Sequence, residues 1–517
     1  MHHIHRLLRN VGAALAVAAF GVGALTPAPA RAEWLKAESE RFIVYSDGRE
    51  PQLRRFVQEL EAFDRLLRLR LGLKVDEAPY RKLPVYLVGS HKSLTKVSPD
   101  APETLAGFYT ATDEDIFGVA IRDRDADTLK HEYAHHFMWQ NFAATYPGWF
   151  VEGFAEYYST VTFERDRVSI GKYNENRIYW LANGAWLPLA DLLSSRPQLS
   201  ETRHRETYYP LAWLLTHWFM SDPARQRSLA AYLADVGAGG DPVEAMQRAT
   251  GLTPEALEQT LRRYMNSRMT YVQMLTTFDT VEVAVTPLPR SADDLLLLNQ
   301  RLKMGTPEDQ RAAVAADARR AAAQHPDDPL ALLVLGHAEL HFGDETQAEA
   351  PLARLLEQQP DHVEALQYMA LIRMSAADQM DDYDAALRKR DEAQQFLARA
   401  YRADDLNYVT LMLIAENRAG TPGYPNDNDV AVLEHAFTLA PQWGEARANL
   451  AQVLMYRGRN SEAIRLLEPL ANDPHDRSPV ARDLLQRARD AEAQAAALTE
   501  SDAEGPPEAA ATAAASD

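Results

Sequence analysis

The chain has 517 residues, enough for roughly three domains. Its 54 Lys and Arg are outweighed by 74 Asp and Glu, a formal net charge of −20, which excludes the basic footprint of a general nucleic-acid binder and any polybasic attraction to anionic lipid. There is no cysteine, so disulfides, thiolate nucleophiles, Fe–S clusters and Cys-type zinc sites are excluded, and any metal must be held by His, Asp or Glu.

Residues 1–32 read as an export signal. Arg6 and Arg9 precede an apolar run from Val11 to Leu25, and Ala30-Arg31-Ala32 is a small-x-small cleavage site. The run is about 15 residues, short of the ~20 that span a bilayer. Cleavage after Ala32 removes Arg6, Arg9 and Arg31, lowers the net charge to −23, and leaves an exported chain, periplasmic or secreted, with no membrane span.

The next region, 33–289, mixes strands and helices. Arg41–Ser46 alternates as a strand does; Leu53, Phe56, Val57, Leu60, Phe63, Leu66 and Leu67 then recur at helical spacing. Leu83–Val88 and Ile116–Ile121 are further strands, the latter either an edge open to an extended substrate or an internal strand. From Asp125 to about Thr276 the chain reads as mostly helical, with a final strand at Val281–Val285 and a linker at Thr286–Arg290.

From 290 to 490 the pattern is all helical with a period near 34. Pro326 and Pro360 are 34 apart, and Pro441 and Pro474 are 33 apart. That period is the one of tetratricopeptide-type helix pairs. Leu332, Leu335-Gly336, Gly343, Ala348, Leu352 and Leu355 occupy the packing positions of one unit; Leu450-Ala451, Gly458, Ala463, Leu467 and Leu470 occupy those of another. A degenerate unit with Ala393, Leu397 and Ala400 follows a loop insertion near Ser375–Ala385, for about five helix pairs in all. Asn426–Asp429 reads as a polar loop, since Val432 and Thr438 stand where a calcium loop needs Gly and Glu. Residues 491–517, rich in Ala, Glu, Ser and Pro, read as a disordered acidic tail.

The strongest chemical signal is His131-Glu132-Tyr133-Ala134-His135 in a helical context that Asp125 or Asp127 can cap. Histidines four apart project from one helical face about 6 Å apart along the axis, a spacing that lets two neutral imidazoles share one Zn²⁺. Glu132, about 100° round the helix, can reach a water at the metal without ligating it. Pro147-Gly148 breaks the helix, and a second helix from Trp149 can bring Glu152 in as third ligand. Glu156, one turn on, is either an acceptor for the second N–H of a ligand histidine or a solvated helix residue. His136, His204 and His217 read as packing or surface histidines.

These motifs resemble those of the gluzincin metallopeptidases, HExxH followed by an E-G-x-A helix. Trp149 ahead of Glu152-Gly153-Phe154-Ala155-Glu156-Tyr157 is more similar still to the peptidase-MA-like group of exported bacterial proteins, often joined to tetratricopeptide repeats. The resemblance implies an α+β zincin-like catalytic domain, a small mixed sheet plus helices, followed by an all-α solenoid. It implies His131, His135 and Glu152 as zinc ligands and Glu132 as general base of peptide hydrolysis. The Gly-Ala-Met-Glu-Asn exopeptidase motif is absent, which argues against an aminopeptidase and leaves an endopeptidase or an unusual exopeptidase. An oxyanion donor is also needed; Tyr208 and Tyr209 are candidates, Tyr209 slightly favoured, with a packed core tyrosine as the competing role. The partners expected are a peptide or protein substrate and a protein bound by the repeats. The competing function is an inactive metalloprotein-fold interaction scaffold.

Overall fold

Alternating and continuous apolar stretches build a six-stranded mixed sheet. Its strands, with a smaller sheet interleaved in the chain, are β1 (Leu35–Glu38), β2 (Phe42–Ser46), β3 (Leu83–Val88), β4 (Gly107–Ala111), β5 (Ile116–Ile121), β6 (Thr162–Phe163), β7 (Val168–Ile170), β8 (Val272–Met274) and β9 (Ala284–Pro287). The large sheet has the order β4-β5-β3-β2-β1-β9; β6-β7-β8 form the small one. Pairings β2–β3 and β3–β5 are parallel, whereas β4–β5, β1–β2 and β1–β9 are antiparallel. This computed structural model describes residues 34–503 apart from 78–80, 123–125, 143, 145, 195–201 and 472–478. The proposed export signal, Asp125, the side chain of His204 and the end of the acidic tail lie outside the described residues.

One of the two open readings holds here, and one expectation shifts. Ile116–Ile121 is an internal strand between β3 and β4, so the sheet edge is β4, antiparallel to its neighbour. The final strand starts three residues late: Val281 and Val283 are buried before it, and Thr286 and Pro287, read as linker, pair with Lys36 and Leu35.

The helices of the first half are α1 (Glu50–Leu71), α2 (His91–Leu94), α3 (Ala126–Asn141), α4 (Gly148–Ser159), α5 (Glu175–Asn183), α6 (Leu189–Ser194), α7 (Thr202–Met220), α8 (Pro223–Gly237), α9 (Pro242–Thr250) and α10 (Pro254–Met265). The apolar face of α1 (Leu53, Val57, Leu60, Phe63, Leu67) packs with Phe42, Val44, Val85 and Leu87 from one side of the sheet. On the other side Tyr86, Val88, Phe117 and Val119 meet Leu94, Val97, Leu296 and Leu297.

The second half is α11 (Ala292–Lys303), α12 (Glu308–Ala322), α13 (Pro329–Phe342), α14 (Glu349–Gln358), α15 (Val363–Asp378), α16 (Tyr383–Ala403), α17 (Tyr408–Ala419), α18 (Asp427–Leu439), α19 (Gly444–Tyr456), α20 (Asn460–Ala471) and α21 (Pro479–Ala503). Each packs on the next, a helical repeat array. The small residues act as expected: a Cβ on Gly336 would lie 2.5 Å from Leu352, so the glycine lets α13 close onto α14. Ala348, Leu352, Leu355, Ala393, Leu397, Ala400, Ala451, Ala463 and Leu467 are fully buried. Three local readings need correction. Ser375–Asp378 continues α15, leaving a short connection before α16. Asn426–Asp429 is a capping box at the start of α18, in which Asn426 and Asp429 satisfy each other's backbone N–H groups. Residues 491–503, read as disordered tail, continue α21, because an Ala- and Glu-rich segment has high helix propensity and extends a helix anchored by Ala481, Leu484, Leu485 and Ala488.

The array is built into the rest of the chain: the described residues from Trp34 onward form one unit. The first helix, α11, covers a face of the sheet. The β4–β5 turn enters the inner side of the array. Asp115 is bound there by Arg81 at 2.5 Å and Lys303 at 3.4 Å, and Lys303 also meets Glu364. Tyr408 donates to the carbonyl of Thr112 at 2.7 Å. Glu114 accepts from Tyr368 at 2.8 Å and pairs with His337 at 3.1 Å.

Candidate metal centre

The HExxH segment is helical over α3, with Asp127 in its first turn. Tyr133 anchors that helix: its hydroxyl donates to the buried Asp64 at 2.6 Å, and Asp64 also holds Arg41 and Arg68, each at 2.8 Å. Burying a charge is costly unless it is paired, and this cluster pairs all three while fixing α3 to α1. Lys130 caps the carbonyl of Val161 at 2.8 Å on the other flank.

Pro147 ends the connection and Gly148 begins α4, which lies against α3. Gly153 follows the candidate third ligand for a steric reason. A Cβ there would stand 2.2 Å from Thr216 Oγ1 and 2.5 Å from the Ala212 carbonyl, so only glycine lets α7 approach α4 this closely.

The result is a convergence of three atoms that could hold a metal ion. Nε2 of His131 and Nε2 of His135 are 3.0 Å apart, and Oε2 of Glu152 lies 3.2 and 3.5 Å from them. Ligand atoms held about 2.0–2.2 Å from one tetrahedral zinc stand ~3.3–3.6 Å apart, close to these separations. Oε2 of Glu152 is buried and makes no hydrogen bond to a protein donor. Two imidazoles and one carboxylate, aimed at a common point, fit a zinc ion. Burial opposes a charge on His131, yet Glu152 and Glu156 beside it raise its pKa to about 9. Burial also opposes the charge of Glu152, yet His135 and His131 hold its carboxyl far below the ordinary range.

Glu156 is 4% exposed and 3.4 Å from Nδ1 of His131, the ring nitrogen turned away from the convergence point. It also accepts two hydrogen bonds from Arg177 of α5. Glu132 is half-buried beside the cluster, and its charge acts on both His131 and Tyr209. Tyr208 is fully buried in the core, whereas Tyr209 lies next to the cluster, its ring 6.5 Å from that of His131 and 5.6 Å from the Arg177 guanidinium. Burial, and then Glu152, Glu156 and Glu132, push the Tyr209 phenol up, so it stays a neutral O–H donor.

His136 turns away from the ligands and pairs with Tyr109 of β4 at 3.1 Å; burial, with Arg81 and Arg68 nearby, lowers its pKa to about 3. His217 sits in the core between Tyr264 (2.8 Å) and the Gly171 carbonyl (3.1 Å). Arg177 and the edge strand β4 have no counterpart in the sequence reading. Arg177 lies 21 residues past Glu156, outside any local pattern, and Gly107–Ala111 has one buried position where an edge strand usually shows an alternation.

No family model and no curated protein matches the chain. Among solved structures it is similar to a thermophilic TPR protein from Thermus thermophilus, at 22% identity and a TM-score of 0.32, over 39% of this chain and 98% of that one. It is also similar to the MamA RS-1 ArsTM double mutant, at 16% identity and a TM-score of 0.26, over 39% and 98% respectively.

Proposed function

We propose that this chain is an exported zinc peptidase of gluzincin type, with a helical array that binds a protein. The observation that carries the reading is the convergence of His131, His135 and Glu152, with Glu132 and Tyr209 beside it. Zinc held by that set would polarise a scissile carbonyl and acidify a water. Glu132 takes the proton of the attacking water and delivers it to the leaving amine nitrogen, so the peptide C–N bond breaks with the amine protonated. Tyr209 donates its O–H to the oxygen on which negative charge develops. Glu156, braced by Arg177, orients His131. The free edge of β4 offers backbone groups to an extended substrate. Export, with release to the periplasm or the medium, rests on residues 1–32 of the sequence; among the described residues no helix is long and apolar enough to cross a membrane.

The test is Glu132→Gln in the chain from Glu33 onward, assayed on a library of internally quenched peptides. The reading expects zinc to be retained and hydrolysis to fall at least ~100-fold; undiminished hydrolysis contradicts it. The second reading, an inactive scaffold, is favoured by the large cavity on the inner side of the array, and it expects no hydrolysis by the unmodified chain either.

A further inference from the structure

A cavity of about 780 Å³ lies between the β4–β5 turn and helices α13, α15, α17 and α19. Its walls combine two kinds of group. Apolar and aromatic side chains, among them Met412, Trp443, Tyr424 and Tyr456, supply contact area, and Tyr456 is 76% exposed at the rim. Carboxylates supply the charge: Asp113 and Glu114 come from the turn, Glu364 from α15, Glu416 from α17 and Glu445 from α19.

Two of these five are already answered within the protein, Glu114 by His337 and Tyr368, and Glu364 by Lys303. Asp113, Glu416 and Glu445 have no ion-pair partner among the described residues. Burial, then Glu114, pushes the Asp113 carboxyl up; burial, then Asp378, does the same to Glu416. Neither is matched by an ion pair, although Arg390 draws the Glu416 carboxyl, and His337 the Asp113 carboxyl, partly back down. No Lys or Arg lines the cavity. Unpaired carboxylates beside Trp and Tyr faces are the groups that recognise an ammonium or guanidinium carried on an apolar stem.

We propose that this cavity binds a peptide segment in which Lys or Arg alternates with apolar residues, the cations meeting Asp113, Glu416 and Glu445 and the apolar residues meeting Met412 and Trp443. The site deepens the partner-binding half of the proposed function and is independent of hydrolysis. It is composite, since Asp113 belongs to the turn that leads out of the edge strand β4. A bound segment therefore touches the turn that follows the strand proposed to carry substrate. The array alone lacks one wall of the site.

The test uses the chain from Glu33 onward carrying Glu132→Gln, so that the probe is not consumed whether or not the peptidase reading holds. A fluorescein-labelled decapeptide of alternating Lys and Leu is titrated and followed by anisotropy, against a Glu/Leu decapeptide. Saturable binding of the Lys/Leu probe alone is expected. Glu416→Gln with Glu445→Gln should weaken it about tenfold, with an unchanged circular dichroism spectrum. Glu308→Gln with Asp309→Asn, on the first turn of α12 away from the cavity, should leave it unchanged. The proposal is overturned if the Lys/Leu probe does not saturate, if both double variants weaken it equally, or if the Glu/Leu probe binds as well. Displacement by equimolar spermidine would also overturn it, because the ligand would then be a small polycation.

Discussion

Glu156 lies 3.4 Å from Nδ1 of His131 and presents to it a carboxylate already gripped by Arg177. The imidazole is thereby oriented from behind, and its Nε2 is aimed at Glu152 and His135. Partners of this kind typically contribute 10- to 100-fold to metal affinity. Glu156→Gln should therefore weaken zinc about tenfold or more in a competition titration with a chelating dye, without displacing α4. An unchanged affinity would reduce Glu156 to a structural partner of Arg177.

Gly153 is a second position at which the site depends on packing. An added Cβ meets the Thr216 hydroxyl and the Ala212 carbonyl of α7 well inside contact distance, and backbone cannot give way as a flexible side chain can. Gly153→Ala should cost about 1–3 kcal/mol in denaturant unfolding. It should also lower hydrolysis, since Glu152 and Tyr209 flank that contact. A fully stable, fully active variant would show that α4 and α7 can separate freely.

Asp115 ties the sheet to the array through Arg81 and Lys303, and it is 5% exposed. Without Asp115, the partly exposed Arg81 loses this partner and Lys303 keeps Glu364 alone, a loss of charge-assisted hydrogen bonds that costs about 1.5–3 kcal/mol. Asp115→Asn should lower stability by about that amount and shift the unfolding of both halves together. Loss confined to an early transition of the array would contradict their joint construction.

His217 supplies a pH dependence away from the candidate metal centre. Burial lowers its pKa from 6.5 to about 4, between Tyr264, the Gly171 carbonyl and the Tyr157 ring, with Arg225 adding to the shift. Between those values the unfolded chain binds a proton that the folded chain refuses, so stability falls as pH drops from 6.5 toward 4. The full effect is about 3 kcal/mol, at about 1.36 kcal/mol for each pH unit of that window. His217→Gln should flatten this part of the stability–pH curve, measured by urea unfolding at several pH values. An identical slope in the variant would assign the acid sensitivity elsewhere.

Legibility in the sequence followed the range of the interaction. Leu83–Val88 and Ile116–Ile121 are continuous apolar runs buried on both faces, and their limits match the strands. His131, His135 and Glu152 were readable because helical spacing and one helix break bring them together locally. The two tyrosines of α7 could not be separated, since adjacent residues differ by about 100° and the rotation of the helix is set by its tertiary packing. The edge strand β4 escaped notice because its residues are mostly half-buried, and Arg177 because its role exists only once α5 has docked. The joining of the array to the sheet rests on pairs such as Tyr408–Thr112, 296 residues apart, which no periodicity encodes.

The most direct test is elemental analysis of the purified chain from Glu33 onward, alongside His135→Ala. The account predicts about one zinc per chain in the unmodified protein and loss of it in the variant. Absence of zinc even after loading, or zinc retained in full by His135→Ala, would contradict the metal centre on which the proposed chemistry depends.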